Sequence, residues 1–222
     1  MSRVLTSMLA LFVCASLSSC VTSKSDTRAV CVLVDVSGTY ADQKAEVVEI
    51  IKKGILPDLR PGDALTLMRI DSKSFEKENI EAVVLLDGRP SHANAQKLRF
   101  AKELDAFAQR PENVRYTDVR GCMMLAADHL RESGAAKQMI ITFSDMREEL
   151  PAGIQRTFGA DEFSGIHVVA VNVKRLEQDN ANPERYRKRI AAWEESVLAS
   201  GAREWRVIGD GPRLVQYLEQ RL

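Results

Sequence analysis

Asp35, Ser37 and Thr39 follow one another at alternate positions at the end of an apolar run, "CVLVDVSGT" (31–39). Each carries a side-chain oxygen, and the spacing lets three oxygens turn to one side of a single loop. Other apolar runs end in the same kind of residue: Ser144 and Asp145 close "MIITFSD", Asp71 closes "LMRID", and Thr117 with Asp118 sits in "RYTDVRG". Two carboxylates, Asp35 and Asp145, and three hydroxyls, Ser37, Thr39 and Thr117, form a set without sulfur or imidazole. Such donors suit a hard divalent cation that takes oxygen ligands, with Mg²⁺ the default, and leave one position for a ligand from outside. Plainer readings stand beside this one. Asp35 and Ser37 at a strand end could simply cap the helix that follows. Asp71 reads as a turn residue and Asp118 as a favourable charge at a helix start.

These residues need a scaffold that brings distant segments to one rim, and the rest of the sequence describes one. "AVCVLVD" (29–35) is continuously apolar, as in a strand covered on both faces. "ADQKAEVVEIIKKGIL" places Val47, Val48, Ile51 and Ile55 on one helical stripe. "ALTLMRID" (64–71) and "IEAVVLLD" (80–87) are strands joined by a loop too short for a helical crossover, so the latter is expected at an antiparallel edge. Residues 91–110 predict a helix with Leu98, Phe100, Ala101, Leu104 and Phe107 inward, and 118–133 a helix ended by Gly134. "KQMIITFSD" (137–145) and "GIHVVAVNV" (165–173) are core strands. Asn182-Pro183 opens a helix that carries Tyr186, Ile190, Trp193 and Val197 and stops at Gly201. "REWRVIG" and "PRLVQYLEQRL" supply a last strand and helix. The alternation predicts an α/β fold: a doubly wound, mostly parallel six-stranded sheet with one antiparallel edge strand and helices on both faces. In such a sheet, ligands bind beyond the carboxyl ends of the strands, where the oxygen-bearing residues fall.

Asp35-Val36-Ser37-Gly38-Thr39 resembles the D-x-S-x-S signature of von Willebrand factor A-type (vWA) domains, which share this Rossmann-like architecture, with Thr in the last place. Thr117 before a helix and Asp145 after the next core strand match the family's remaining motifs in type, order and context, and the resemblance spans nearly all of residues 29–222. It implies a metal-ion-dependent adhesion site (MIDAS). Ser37, Thr39 and Thr117 would ligate Mg²⁺ or Mn²⁺ directly or nearly so, Asp35 and Asp145 directly or through water, and a partner protein's Asp or Glu would fill the open position. Two departures stand out. The family often has Asp-Gly after the last of these strands, where this chain has Asp145-Met146. Glu148 and Glu149 could also bring negative charge close to an incoming carboxylate.

The N-terminus reads "MSRVLTSMLALFVCASLSSC". A basic Arg3, an apolar stretch too short to span a bilayer and a run of small residues have the order of a secretory signal. Leu17-Ser18-Ser19-Cys20 resembles the lipobox of bacterial lipoproteins. That resemblance implies cleavage after residue 19 and acylation of Cys20. Residues 20–28 would be the lipidated cysteine and a polar tether, its eight residues after Cys20 reaching about 26 Å at most, and 29–222 the vWA-like domain. The expected location is the bacterial cell envelope, membrane-anchored by lipid. Val21 in place of an aspartate resembles outer-membrane sorting, on the periplasmic face, if the source is Gram-negative.

Charge is balanced, with 31 Lys and Arg against 31 Asp and Glu. No basic stripe points to nucleic acid. Cys31 and Cys122 read as two buried free thiols, although an exported chain permits a disulfide. No Ser/His/Asp set, G-x-S-x-G or phosphate-cradling glycine loop is present. The favoured function is therefore not enzymatic: a lipid-anchored binding module that grips an acidic group on a partner protein through a divalent cation. One alternative is a Mg²⁺-dependent phosphatase of the haloacid-dehalogenase-like kind, whose first motif, D-x-D-x-T, "LVDVSGT" also resembles. Ser37 stands there in place of the second aspartate, and a serine is no general acid near neutral pH. Another is a structural lipoprotein with a vestigial site.

Overall fold

The computed structural model describes residues 26–38, 40–72, 74–112, 114–173 and 182–221. The expected signal segment (1–19), Cys20 and Thr39 lie outside the described residues. Six strands alternate with helices in chain order: β1 (Arg28–Asp35), α1 (Lys44–Ile50), β2 (Ala64–Ile70), β3 (Ile80–Leu85), α2 (Pro90–Gln109), α3 (Val119–Ser133), β4 (Lys137–Phe143), β5 (Ile166–Val171), α4 (Pro183–Ala199), β6 (Glu204–Ile208) and α5 (Gly211–Arg221). They form one sheet in the order β3-β2-β1-β4-β5-β6. Every pairing is parallel except β2 with β3, so the short connection after β2 does place β3 antiparallel at the edge.

β1 is central and buried along its whole length. Alternate residues point to opposite faces, and both faces are covered. Val30, Val32 and Val34 meet Val47 and Ile51 from the α1 segment, Phe100 and Leu104 of α2, and Leu214 and Leu218 of α5. Ala29, Cys31 and Leu33 meet Val119, Cys122 and Ala126 of α3, with Trp193 and Val197 of α4 in the same layer. Cys31 and Cys122 are free thiols in this second layer. Burial pushes both thiols up, away from the reactive thiolate.

Most element ends fall within a residue or two of expectation, and two local features differ in kind. β1 begins at Arg28 rather than Ala29, and this arginine is buried. Its amide donates to Asp63 Oδ1 at 2.8 Å and its Nε to Asp63 Oδ2 at 2.7 Å. Its Nη1 donates to Asp58 Oδ2 at 2.9 Å. A buried guanidinium is tolerable only when so paired, and here it fastens β1 to the loop before β2. The helical stretch from residue 41 is also irregular. A 3₁₀ turn (Ala41–Gln43) leads into α1, followed by a π-helical turn (Ile51–Ile55) and another 3₁₀ turn (Leu56–Asp58). The π turn lies beside α5, where a Cβ on Gly54 would stand 2.6 Å from Val215 Cγ2. The bare glycine lets the two segments touch.

The arrangement puts the carboxyl ends of β1, β2 and β4 side by side. Asp35 pairs with Ile70, and Val34 with Phe143, so the residues just beyond each strand meet at one rim.

Candidate metal site

The rim is assembled from three segments. After β1, Asp35 is fully buried, and its two carboxylate oxygens are both engaged. The Ser37 amide donates to Asp35 Oδ1 at 2.9 Å, and Ser144 Oγ donates to Oδ2 at 2.7 Å. Burial raises the Asp35 pKa, the Asp145 charge adds to the rise, and the bonds from Ser37 and Ser144 oppose it. After β4, Ser144 and Asp145 are buried, and the Asp145 Oδ1 accepts from the Arg147 amide at 2.8 Å. Before α3, Thr117 is held against the β4 loop by paired backbone bonds with Glu149, at 2.8 and 3.0 Å. The Asp118 amide donates to the Asp71 carbonyl at 2.9 Å, which ties this loop to the end of β2.

Ser37, Thr117 and Asp145 line one cleft of about 220 Å³, together with Gly38, Val114, Arg115, Arg147 and Glu149. Asp35 lies behind it, bonded to Ser37. Four of the five expected ligand residues are thus brought together, and Thr39 is outside the described residues. Among the described residues, no three His, Cys, Asp or Glu side chains converge on a cation position. The donors here are two carboxylates with hydroxyls from Ser37 and Thr117, and that chemistry fits a small divalent cation better than zinc. A buried carboxylate with a second carboxylate close enough to raise its pKa is also an unfavourable pair that a cation would relieve.

Both departures have local answers. Met146, in the place of the usual glycine, adopts a left-handed backbone with φ of 58°. Non-glycine residues resist this region by roughly 1–2 kcal/mol, and three contacts hold it. The Met146 side chain is fully buried, its amide donates to Ser144 Oγ at 3.0 Å, and its carbonyl accepts from Trp193 Nε1 of α4 at 2.8 Å. Glu148 points away from the cleft. It accepts from the Arg120 amide at 2.8 Å and pairs with the Arg120 guanidinium at the start of α3. Glu149 remains at the cleft but is paired with Arg147 at 2.5 Å.

Asp71 and Asp118 take structural places, as expected. Asp71 sits in a turn with Ser74, whose Oγ accepts from its amide at 2.7 Å. Asp118 caps α3 by accepting from the Gly121 amide at 2.8 Å, and pairs with Arg156 at 2.8 Å. Sequence reasoning did not single out Ser144 as the partner of Asp35, nor Arg115 and Arg147 at the cleft. Ser144 precedes Asp145 directly, while each arginine stands two residues from an expected ligand, and that proximity was the available signal.

No family model and no curated protein matches the sequence. Solved structures do share the fold. BatB from Bacteroides thetaiotaomicron, described as a conserved hypothetical protein, is 13% identical, with a TM-score of 0.51 over 88% of this chain and 98% of its own. The PilB minor pilin of Streptococcus sanguinis, in a D319A mutant, is 10% identical with a TM-score of 0.51, over 89% of this chain and 61% of its own. The pilus adhesin SpaC of Lactobacillus rhamnosus GG is 15% identical with a TM-score of 0.47; this chain matches 88% of its own length but only 29% of the adhesin. At these identities the likeness concerns the fold. With the sheet order, the antiparallel edge and the rim described above, the likeness to BatB and to the PilB pilin shows that the chain has a von Willebrand factor A-like fold.

Proposed function

We propose that the chain is a binding module that uses a divalent cation, Mg²⁺ or Mn²⁺, to engage an acidic group on a partner protein. The observation that carries this reading is the convergence of Ser37, Thr117 and Asp145 on one cleft with Asp35 buried behind it. Ser37, Thr39 and Thr117 would supply hydroxyl ligands, and Asp35 and Asp145 carboxylates, direct or through water. A cation held there would offer an open coordination position to a carboxylate from outside. The chain's own residues set the conditions: Ser144 and the Ser37 amide fix the Asp35 carboxylate, and the Thr117–Glu149 backbone pair holds two sides of the cleft in register. The engagement of both Asp35 oxygens favours a positioned ligand over the nucleophile that a phosphatase would need.

The module would be anchored in the bacterial envelope through acylated Cys20, on the periplasmic face of the outer membrane in a Gram-negative cell. Among the described residues, no helix is long and apolar enough to cross a membrane. Replacing Cys20 by Ser would then move the chain from the membrane to the soluble fraction.

Calorimetric titration of the full chain with Mn²⁺ tests the site. Binding of one ion per chain is expected, and loss of that heat in Ser37→Ala and Asp145→Ala. Absence of heat at millimolar Mn²⁺ and Mg²⁺ would overturn the reading. Capture of a partner from solubilised membranes that is abolished by chelator would then identify what the site holds.

A further inference from the structure

The charges around the cleft say what kind of acidic partner it fits. Among the described residues, four charged side chains line it: Arg115, Arg147, Asp145 and Glu149. Their charges cancel, and one pair is already satisfied internally, since Arg147 is bound to Glu149 at 2.5 Å. Behind them lies Asp35. A divalent cation would be balanced by Asp35 and Asp145 alone, so a carboxylate arriving at the cation would leave that centre with a net negative charge. Arg115 is the cation left over. It is exposed, and it forms no ion pair with the described residues. Its guanidinium lies 5.3 Å from the centre of the Tyr116 ring, a contact that restrains the side chain without neutralising it. It sits two residues before Thr117, whose backbone is pinned to Glu149, so its place on the cleft wall is fixed by the fold.

We propose that Arg115 is a second anchor for the partner, taking a second carboxylate next to the one at the cation position, so that the ligand is a segment with two neighbouring acidic side chains. Arginine suits this task because its planar fork binds a carboxylate through two parallel hydrogen bonds. Glu149 sharpens the choice by tying up Arg147, which leaves, among the described residues, one cation on that wall without an ion pair instead of two. The proposal rests on the divalent-cation reading of the cleft only for the first carboxylate. The second contact belongs to Arg115 itself.

The test uses two short capped peptides, acetyl-Gly-Asp-Gly-amide and acetyl-Gly-Asp-Glu-Gly-amide, titrated into the full chain at low salt, with Mn²⁺ and with chelator. The two-acid peptide is expected to bind roughly fivefold more tightly than the one-acid peptide, an effect of the size of an exposed ion pair. Arg115→Gln should erase this advantage, weakening the two-acid peptide more than the one-acid peptide, while added salt should shrink it. An advantage that persists in Arg115→Gln overturns the proposal, as does equal binding of the two peptides by the unaltered chain or no binding of either. If the two-acid peptide keeps an Arg115-dependent advantage in chelator, the anchor stands and the cation reading fails. If Mn²⁺ binds and the peptides do not differ, the cation reading stands and the anchor fails.

Discussion

A buried carboxylate is costly to keep charged, and Asp35 is kept beside a second one. Its fully buried position and raised pKa mean that the folded chain without a cation would be better off with a neutral group there. Asparagine has the same shape and can still accept from the Ser37 amide. We therefore expect Asp35→Asn to raise the stability of the chelator-treated protein by about 1–3 kcal/mol, seen as a higher urea midpoint, and to abolish Mn²⁺ binding in calorimetry. Lower stability with binding intact would refute the role given to this residue. Met146 presents the opposite balance. Glycine would relieve a left-handed backbone worth roughly 1–2 kcal/mol but would remove a fully buried side chain, at about 2–5 kcal/mol. Met146→Gly should thus destabilise the protein by a net ~1–3 kcal/mol, measured by urea unfolding, even though glycine is the residue this turn prefers. At this scale the sequence disclosed which residues share the rim, because Asp35, Ser37, Thr117 and Asp145 end recognisable strands or open a helix. It did not disclose where exposed side chains point. Glu148 and Glu149 are adjacent, yet one turns to Arg120 and the other stays at the cleft with Arg147, and no periodicity encodes that difference.

Elements were legible where burial leaves a pattern. The strands covered on both faces read as unbroken apolar runs, and the edge strand β3 followed from a connection too short to cross the sheet. The segment after Asp35 read as one regular helix because Val47, Val48, Ile51 and Ile55 still face the core across a π turn. That turn packs against α5, elsewhere in the chain, where Gly54 meets Val215 and Gly211 meets Ile50; a Cβ on Gly211 would be 2.9 Å from Ile50 Cγ1. Two glycines, one on each partner, bring the two elements into contact. Gly54→Ala should force Val215 aside and cost about 1–3 kcal/mol, the usual range for overpacking, partly offset by the better helix propensity of alanine. Val215→Ala would make room for the new methyl. The double variant should therefore be more stable, in urea unfolding, than the sum of the two single changes implies. Strict additivity would mean that the close approach does not constrain these elements.

Across the whole molecule, two of the three histidines sit half-buried against the sheet, one on each face, and both are set to resist protonation. His129 of α3 shares a 2.9 Å hydrogen bond with Thr66 Oγ1 of β2, and burial lowers its pKa, with Glu132 pulling the other way and Lys77 adding to the fall. His167 of β5 faces Glu204 of β6 at 3.4 Å. Burial lowers its pKa despite that carboxylate, and Arg203 and Arg221 contribute in the same direction. The sign follows from which state takes the proton first. With folded values below the ordinary 6.5, the unfolded chain protonates before the native one as the solution is acidified. The stability held by the neutral histidines is complete above about pH 6.5 and is lost as pH falls from there toward the folded values. Asp35, with its raised pKa, works in the opposite sense and favours the fold on acidification. Comparing two proteins that both retain Asp35 removes that contribution. The urea midpoint of the unaltered chain should fall further between pH 7.5 and 5.5 than that of His129→Gln/His167→Gln, in which glutamine at position 129 can still bond Thr66. The carboxylate of Glu49, which Lys52 and Lys53 hold at about 2, would release its contribution only as pH falls below the ordinary carboxylate range. Its loss therefore stays outside this window. Equal falls in the two proteins would show that the half-buried imidazoles do not govern the acid response of the fold.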